Sequence, residues 1–447
     1  MKKTIVFKIL FFFISALLFR FLISSAWAQA PSVIEMPSSP NPVGSGSRSL
    51  GMGGAFIGVA DDATAASWNP GGLIQLETPE LSFVLGTAYR SEKKSFPDNP
   101  EASGSDNITD SNINYLSSVY PFQLMNRNMV VSLNYQHLYD FNRDWKFNFI
   151  YPPPTVYEGP AELEYEQTGS LYALGLAYCV QITPIFSTGI TLNYWGDIIF
   201  ENEWEQTYSS RAKFNVGGIP ALYTAVKKEE YDFNGWNANF GFLLQVNEHL
   251  TIGGVFKTPF KADINHTVSE HEKTEFPTLG REDIFDSTEL YKEEIQMPMS
   301  YGIGFAVRFS DTFTMSADIY RTHWEDYALR DWLGVEKSPI SGKPVNESDV
   351  DPTTWFRLGA EYLIIIDNEM IVPVRAGLFY DPAPAEKSPD NFYGISVGTG
   401  LAYKHFIFDI AYQYRFGKDI GGSLWQGESV PMDVKEHKLY CSLIMHL

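Results

Sequence analysis

Bulky apolar residues alternate with small or polar residues along most of the chain. In residues 406–416 every even position is apolar and mostly aromatic, whereas the odd positions include Asp409 and Arg415. In residues 393–403 bulky residues alternate with Gly, Ser and Ala, which would leave room on one side of a wall. A period of two predicts β-strands. Surface strands of a soluble sandwich also alternate, but they would seldom carry so aromatic a face.

About fourteen segments of this kind follow one another. They lie near residues 80–90, 112–121, 128–142, 162–182, 185–207, 224–245, 249–269, 291–308, 312–327, 351–365, 370–381, 391–404, 406–417 and 434–447. An even number of strands is what a single-chain bacterial outer-membrane barrel requires. The last segment runs as an apolar stripe to Leu447, as expected of a strand that closes a barrel.

The connections between these segments alternate strictly between long and short. The long ones are 91–111, 143–161, 208–223, 270–290, 328–350, 382–390 and 418–433, and the short ones are 121–128, 182–185, 245–249, 308–312, 365–370 and 404–406. Long extracellular loops and tight periplasmic turns produce this alternation, and a soluble all-β protein has no reason to show it. The patterns therefore predict an all-β fold, a 14-stranded antiparallel transmembrane β-barrel with both chain ends in the periplasm.

The first 28 residues indicate export. Basic residues, an apolar run and Ala26-Trp27-Ala28 form a secretory signal peptide. Arg20 is unusual in the apolar run and leaves an uncleaved anchor as the alternative to cleavage after Ala28. No later stretch approaches 18 uninterrupted apolar residues, which excludes a helical membrane protein.

Charge and composition narrow the class further. Cleavage removes four of the 33 basic residues and leaves 29 against 54 Asp and Glu, a net charge of −25. Such acidity argues against nucleic acid and anionic membrane surfaces as partners. Aromatic residues make up 15% of the chain, as the aromatic girdles of a barrel would require. We expect Cys179 and Cys441 to be free thiols on opposite faces, and we expect neither a metal site nor a cofactor.

A glycine-rich stretch, residues 49–73, precedes the first strand. A dinucleotide loop is excluded because Phe56 stands where the last glycine of G-x-G-x-x-G belongs and no βαβ unit follows. Inside a barrel, its glycines would allow tight turns and close approach to the wall. We expect Asp61 or Asp62 to cap a short helix that ends near Asn69 before Pro70. The residues of this motif are Gly51, Gly53, Gly54, Asp61, Asp62, Asn69 and Pro70.

Six short motifs resemble the FadL/TodX family of outer-membrane transporters for long-chain fatty acids and aromatic hydrocarbons. They are ADDATAASWNPGGL at 60–73, FKTPF at 256–260, MPMSYG at 297–302, TMSAD at 314–318 with Trp324, RAG at 375–377 and YDP at 380–382. The residues at 48–54 are also similar to PorV-like relatives, which act in protein secretion.

The resemblance implies a signal peptide over 1–28, an N-terminal hatch over 29–78 inside the lumen and a barrel over 79–447. It implies a monomer in the outer membrane of a Gram-negative bacterium. Such a protein would bind a fatty acid or hydrocarbon in its lumen and release it into the lipid through a gap beside a kinked strand. A PorV-like secretion partner is the alternative function, and no group of residues selects an enzyme.

Strand parity places several charged side chains inside the wall. We consider Lys257, Arg357, Arg375 and Arg415 as ligand-binding residues, because the planar fork of Arg suits a carboxylate. The alternative is that these residues are ion-paired struts that hold the hatch.

Overall fold

The computed structural model describes residues 44–150, 157–216, 218–367, 369–421 and 430–447. The predicted signal peptide lies outside this part of the chain. Among these residues, no helix has both the length and the apolar character needed to cross a membrane.

The described residues contain 20 strands in one antiparallel sheet. They are β1 (Glu80–Lys94), β2 (Gly104–Leu124), β3 (Arg127–Asp140), β4 (Arg143–Phe149), β5 (Ala161–Thr183), β6 (Phe186–Trp195), β7 (Glu203–Val216), β8 (Ile219–Gln245), β9 (Leu250–Lys257), β10 (Phe260–Phe276), β11 (Arg281–Met297), β12 (Ser300–Ser310), β13 (Phe313–Thr322), β14 (Ala328–Arg330), β15 (Glu336–Lys337), β16 (Thr353–Asp367), β17 (Met370–Tyr380), β18 (Phe392–Tyr403), β19 (Phe406–Ile420) and β20 (Met432–His446).

The sheet closes on itself, because β1 pairs with β2 on one edge and with β20 on the other. Four of its spanning segments consist of two consecutive strands (β3–β4, β6–β7, β9–β10 and β11–β12), and β14 and β15 belong to a connection. The predicted 14-stranded antiparallel barrel is therefore confirmed. Closure pairs the backbone groups of the wall within the protein, as a bilayer requires.

Six tight turns lie at one end of the barrel. They follow β2, β5, β8, β12, β16 and β18, where the sequence predicts short connections. We call this end periplasmic and the opposite end extracellular, following the orientation that the loop lengths predict.

At the extracellular end the strands extend much farther than the sequence predicts. Residues 208–223 and 270–290 are mostly strand, and only residues 277–280 separate β10 from β11. These extensions carry charged residues on both faces, so the apolar alternation used to find strands is absent. Ion pairs stabilise them instead. Lys273 Nζ lies 2.7 Å from Glu275 and 2.8 Å from Glu282, and hydrogen bonds with these carboxylates raise the pKa of Lys273.

Three predicted strands are interrupted, and one of them is the strand predicted over 291–308, in which residues 298–299 separate β11 from β12. The prediction of one strand over 185–207 is wrong, because residues 196–202 separate β6 from β7. The side-chain amide of Asn202 bridges this break, accepting from Tyr172 N at 3.0 Å and donating to Tyr172 O at 3.2 Å. The strand predicted over 249–269 breaks at Thr258-Pro259, since proline has no N–H to donate to a neighbouring strand.

The two faces of the wall differ as the alternation predicts. Along β1, Leu81, Phe83 and Leu85 point outward and are exposed, whereas Ser82 and Val84 are buried. Neighbouring aromatic rings form an outward belt near the extracellular end. Its members are Tyr89, His437, Tyr412, Tyr414, Phe416, Tyr393, Tyr380 and Phe356. Such a belt is typical of the membrane interface.

Residues 44–78, here called the hatch segment, lie inside the barrel. They contain two short α-helices, α1 (Ser47–Gly51) and α2 (Ala65–Trp68), and a 3-10 helix over Pro70–Gln75. Met52, Phe56 and Ile57 are fully buried, and contacts with strands on opposite sides of the barrel surround the segment. The two cysteines are free, and Cys179 is buried against this segment, its thiol donating to Gly71 O at 3.4 Å.

Candidate functional site

Inward-facing glycines of the wall form a seat for the hatch segment. At each of them an added Cβ would come within about 3 Å of a hatch atom. These glycines are Gly189, Gly241, Gly253, Gly304, Gly359, Gly377 and Gly398. The contact is reciprocal, because a Cβ on Gly51 would lie 3.1 Å from Gly398 Cα and one on Gly53 would lie 3.1 Å from Gly377 Cα. Small residues on both sides therefore let the two backbones touch.

Gly53 and Gly54 serve a second purpose. Their φ angles are +68° and +74°, a backbone conformation that other residues rarely adopt. The chain turns at this point between α1 and the apolar residues that follow it. The sequence motif thus marks both a turn and a close approach to the wall.

Asn69 connects three parts of the structure. Its Nδ2 donates to Ile57 O at 2.9 Å and to Phe242 O at 2.8 Å, and its Oδ1 accepts from Gly71 N at 3.1 Å. The side chain is fully buried, so each of these bonds replaces one that water would make. The preceding helix ends at Trp68, just before Asn69, as the sequence predicts, and Pro70 then begins the 3-10 helix, a position that suits proline.

The acidic pair of the motif behaves differently from the predicted cap. Asp62 Oδ1 accepts from Thr64 N at 2.8 Å and Thr64 Oγ1 at 2.6 Å, whereas α2 begins after Thr64 without a side-chain cap. The prediction of an aspartate cap is therefore wrong. Asp61 instead pairs with Arg48 at 2.5 Å, and Arg48 reaches Glu361 of the wall at 2.8 Å.

Side chains of the wall satisfy the backbone of the hatch segment. Asp318 Oδ2 accepts from Phe56 N at 2.7 Å and from Ile57 N at 2.8 Å. Hydroxyl groups donate to hatch carbonyl oxygens from several strands. These donors are Tyr115, Ser187, Thr191, Ser316 and Ser396. The irregular hatch backbone is thus bonded to the wall around the lumen.

Two of the four cations that were predicted to bind ligand form ion pairs with carboxylates instead. Arg375 bonds Glu361 at 2.5 Å and Asp409 at 2.6 Å. Arg415 lies 3.0 Å from Asp381 and 2.9 Å from Glu436. Both side chains are almost fully buried, so each matches its charge with carboxylates of the wall.

The other two cations are placed differently from each other. Lys257 ends β9 opposite Ser300 and Asn239 and is not among the residues lining the cavities described below. Arg357 lines the upper cavity. It donates to Gly53 O at 3.0 Å, its ion pair with Asp381 is long at 3.7 Å, and its buried Nε bonds no described acceptor.

A partly open cavity lies above the hatch segment, on its extracellular side, and spans about 1140 Å³ free of protein atoms, open solvent included. We call it the upper cavity. Leu50 and Trp68 form part of its hatch side, and aromatic residues such as Tyr139 and Tyr440 form part of its wall. Its exposed lining is mainly apolar surface, as in many small-molecule sites, but polar and charged side chains such as Asn112, Arg357 and Asp381 also line it.

A second space of about 1220 Å³ lies below the hatch segment. Polar side chains from the tight turns and from the strand ends beside them line it, among them Gln181, Gln245, Glu248 and Arg308. Asp61 and the other hatch residues that line this lower space do not line the upper cavity. The hatch segment therefore separates the upper cavity from the lower space within the barrel.

The strand pairing of the wall is interrupted on one side of the upper cavity. β2 pairs with β3 from Leu124↔Arg127 up to Tyr115↔Gln136 and no farther. Above that point β2 pairs only with β1, and β3 pairs only with β5, with an irregularity between His137 and Tyr139. We call this unpaired stretch between β2 and β3 the window.

The window lies at the level of the outward aromatic belt. Thr109 of β2 is directly opposite Tyr89, a member of that belt. Ile108, Asp110 and Asn112 on one edge and His137, Tyr139 and Asp140 on the other also line the upper cavity. The cavity therefore reaches the wall where the outer half of the bilayer would begin.

Sequence reasoning missed the residues of the window. Asp110 falls in a segment predicted as a loop, and Asp140 falls at the end of a predicted strand, so nothing in the pattern joins them. Lys438 of β20 also faces the cavity, with electrostatic attraction to Glu436 and Asp140. The alternation along the last predicted strand indicates that Lys438 points inward, but the residues around it depend on the register of distant strands.

A closed barrel with an enclosed segment and a cavity above it defines a plugged outer-membrane β-barrel. The sequence model of the family described as "Outer membrane protein transport protein (OMPP1/FadL/TodX)" matches residues 45–421. The chain therefore belongs to the OMPP1/FadL/TodX family of outer-membrane transport proteins, as the motifs suggested.

Solved structures have the same fold. A FadL homologue of Pseudomonas aeruginosa is 12% identical, with a TM-score of 0.61 over 92% of this chain and 100% of that one. The toluene transporter TodX of P. putida is 14% identical, with a TM-score of 0.57 over 90% and 99%. The toluene transporter TbuX of Ralstonia pickettii is 13% identical, with a TM-score of 0.51 over 90% and 98%. A comparison with curated proteins found no match.

Proposed function

We propose that this chain takes up hydrophobic small molecules, holds them in the upper cavity and releases them sideways through the window. The observation that carries the proposal is the position of that cavity, which has the hatch segment below it and an unpaired part of the wall beside it. An apolar ligand gains free energy by passing directly into hydrocarbon, whereas a path through the polar space below the hatch would expose it to water.

Substitution at the window tests the route. Asn112 lines the cavity at the edge of the window, so Asn112→Trp should narrow the exit. Ser118 lies on the same strand but is exposed below the window, and Ser118→Trp is the matched control. We expect Asn112→Trp to slow uptake of a hydrophobic fluorescent dye by whole cells, with Ser118→Trp close to the parent. Equal uptake by both variants would reject the window as the exit.

Bound ligand provides an independent test. Mass spectrometry of protein purified in mild detergent should recover a recurring lipid or hydrocarbon. Repeated recovery of nothing specific would count against uptake as the function.

In this proposal Arg357 is the cation that contacts the polar end of a ligand. It lines the upper cavity, whereas Arg375 and Arg415 act as struts and Lys257 lies away from it. Arg357→Met should weaken ligand binding by about tenfold, the effect of one charge-assisted hydrogen bond. Arg375→Met should mainly leave the wall carboxylates Glu361 and Asp409 without their shared cation. If Arg357→Met binds ligand as tightly as the parent does, Arg357 does not contact the ligand.

The remaining parts of the proposal follow from the family. A transport family favours uptake over a PorV-like secretion role and gives no support to catalysis. We propose a monomer in contact with outer-membrane lipid, exported by a signal peptide that is cleaved after Ala28. N-terminal sequencing of the mature protein and its mass in detergent would test these two points.

A further inference from the structure

We infer that Lys93, Lys418 and Lys435 form a binding site for the phosphate groups of a lipid in the outer leaflet. We call these three residues the lysine cluster. The cluster lies on the outer surface of the barrel, so the site does not depend on the proposed uptake through the window.

The lysine cluster lies just beyond the outward aromatic belt on three adjacent strands. Each lysine is two or four residues closer to the extracellular end than a belt residue of its own strand. These belt residues are Tyr89 on β1, Phe416 on β19 and His437 on β20. An even separation keeps each lysine on the same outward face as its belt residue. Because aromatic belts mark the membrane interface, the cluster lies at the level of the lipid headgroups.

The register of the strands brings the three side chains together. Lys435 lies opposite Phe416 of β19 and opposite Ser91 of β1, and Lys93 is two residues beyond Ser91. Lys93 and Lys435 are therefore diagonal neighbours in the ladder, about 7–8 Å apart. Lys418, two residues beyond Phe416, has the same relation to Lys435 on the other side. The long side chains of neighbouring lysines can thus reach one phosphate group together.

The lysine cluster differs from several other lysines near the extracellular end in having no acidic partner. Lys146 lies 2.7 Å from Glu164, and Lys228 lies 2.9 Å from Glu205. By contrast, no lysine of the cluster forms an ion pair with a residue that the structure describes, and all three are exposed. Their charges are therefore available to an anion from outside the protein.

Two carboxylates lie beside the cluster and do not cancel its charge. Asp433 is opposite Lys93 in the ladder, and its Oδ1 accepts from Asp419 N at 3.3 Å. Three ammonium groups exceed these two carboxylates, so the patch stays positive. The acidity of the whole chain has little effect here, since salt screens exposed charges that are more than about 8 Å away.

Neutral donors surround the lysines on the same face. The register places Ser91 opposite Asn107 and Lys93 opposite Ser105. Asn107 Oδ1 accepts from Tyr89 Oη at 2.9 Å, which leaves its amide nitrogen as a donor. Hydroxyl and amide groups beside ammonium groups suit a phosphate and the sugar or glycerol that carries it.

The position of the cluster favours a lipid over a soluble phosphate. A soluble anion would contact only the exposed lysines and their polar neighbours. A lipid bound by its phosphate would also lay its acyl chains against the aromatic belt and the apolar wall directly below, and burial of apolar surface adds to its affinity.

Native mass spectrometry of the full chain in mild detergent tests the site with lipid A and with dephosphorylated lipid A. The parent should bind lipid A about a hundredfold more tightly than the dephosphorylated form, about fivefold for each lysine. Lys93→Gln combined with Lys418→Gln and Lys435→Gln should remove most of this difference. The single variant Lys435→Gln should bind lipid A about fivefold more weakly than the parent, and it serves if the triple variant fails to assemble.

A matched control removes three exposed lysines from other strands. Lys213 lies on β7, Lys292 on β11 and Lys337 on β15, so their replacement by Gln changes the net charge equally. This control should bind lipid A as the parent does, and an equal loss in both triple variants would overturn the site. Equal binding of the two lipids by the parent would also overturn it. Displacement of lipid A by millimolar inorganic phosphate would show that the cluster takes free phosphate, which would overturn the assignment to a lipid.

Discussion

Asp318 is a single side chain on which much of the hatch depends. One carboxylate oxygen accepts both Phe56 N and Ile57 N, at 2.7 and 2.8 Å, and all three residues are buried. Without that acceptor, two buried amides would lack partners. The cost of leaving a buried donor unsatisfied is about 1–3 kcal/mol.

Substitution of Asp318 should therefore loosen the hatch segment. We predict that Asp318→Ala makes residues 44–78 more sensitive to protease and raises the conductance of single barrels in planar bilayers. Asp318→Asn keeps one acceptor oxygen and should have the smaller effect. If Asp318→Ala is as resistant to protease as the parent, these two hydrogen bonds do not hold the hatch.

Gly377 allows the closest backbone approach between β17 and the hatch segment. An added Cβ would lie 2.2 Å from Gly53 N, which no side chain can relieve by rotating. We predict that Gly377→Ala displaces the hatch and raises conductance, although β17 itself tolerates alanine. Gly104→Ala is the matched control, since a Cβ there meets nothing within 4 Å. Equal conductance of the two variants would contradict a tight seat.

At the residue scale, the sequence predicted positions better than partners. It singled out Asn69 and the hatch glycines, whose chemistry is local or follows from the alternation. It did not predict that Arg375 would be bound by both Glu361 and Asp409, because that depends on the register of three strands. Strand parity alone does not show whether an inward-facing Arg binds ligand or serves as an ion-paired strut.

How well each strand could be predicted depends on whether lipid or water surrounds it. Lipid imposes an apolar side on every strand within the membrane, so the spanning parts of strands such as β18 and β19 were predicted correctly. Above the membrane water contacts both faces, and the pattern that marks strands disappears from β10 and β11. The window was unpredictable for another reason, since it is defined by hydrogen bonds that β2 and β3 do not make.

The β10–β11 hairpin should be dispensable for barrel assembly. Asn265 and Lys292 face each other in the ladder, so a two-residue Asn-Gly turn can replace residues 266–291. We predict that this variant inserts and keeps its heat-modifiable mobility on gels, because the removed residues pair with one another and with the extension of β8. Loss of insertion would show that the hairpin takes part in assembly.

At the scale of the whole molecule, the wall and its contents are separable. Strand pairing closes the barrel without help from the hatch segment. We predict that deletion of residues 49–73 leaves a barrel that inserts, leaks small solutes and loses selective uptake. The hairpin variant above removes a similar length from outside the lumen and should not leak. A hatch deletant that is as tight and as active as the parent would show that these residues do not plug the barrel.

The overall fold was the part most fully predictable from the sequence. A membrane barrel must be closed, must have its apolar side outward and must connect neighbouring strands in order, and these constraints left one architecture for fourteen alternating segments. The shape of the cavity was not predictable, because it is the space that a short irregular segment leaves unfilled. Its walls come from residues as far apart as Trp68 and Tyr440.

The charged extensions of β7, β8, β10 and β11 are the part of the protein that an antibody or a bacteriophage would meet first. Ion pairs such as Lys228 with Glu205 and Lys273 with Glu282 join neighbouring strands there. A sheet held in this way needs opposite charges on side chains of adjacent strands that can reach each other, and it does not need particular residues. Its outer surface can therefore change in sequence to escape recognition while the lumen that handles the ligand stays the same.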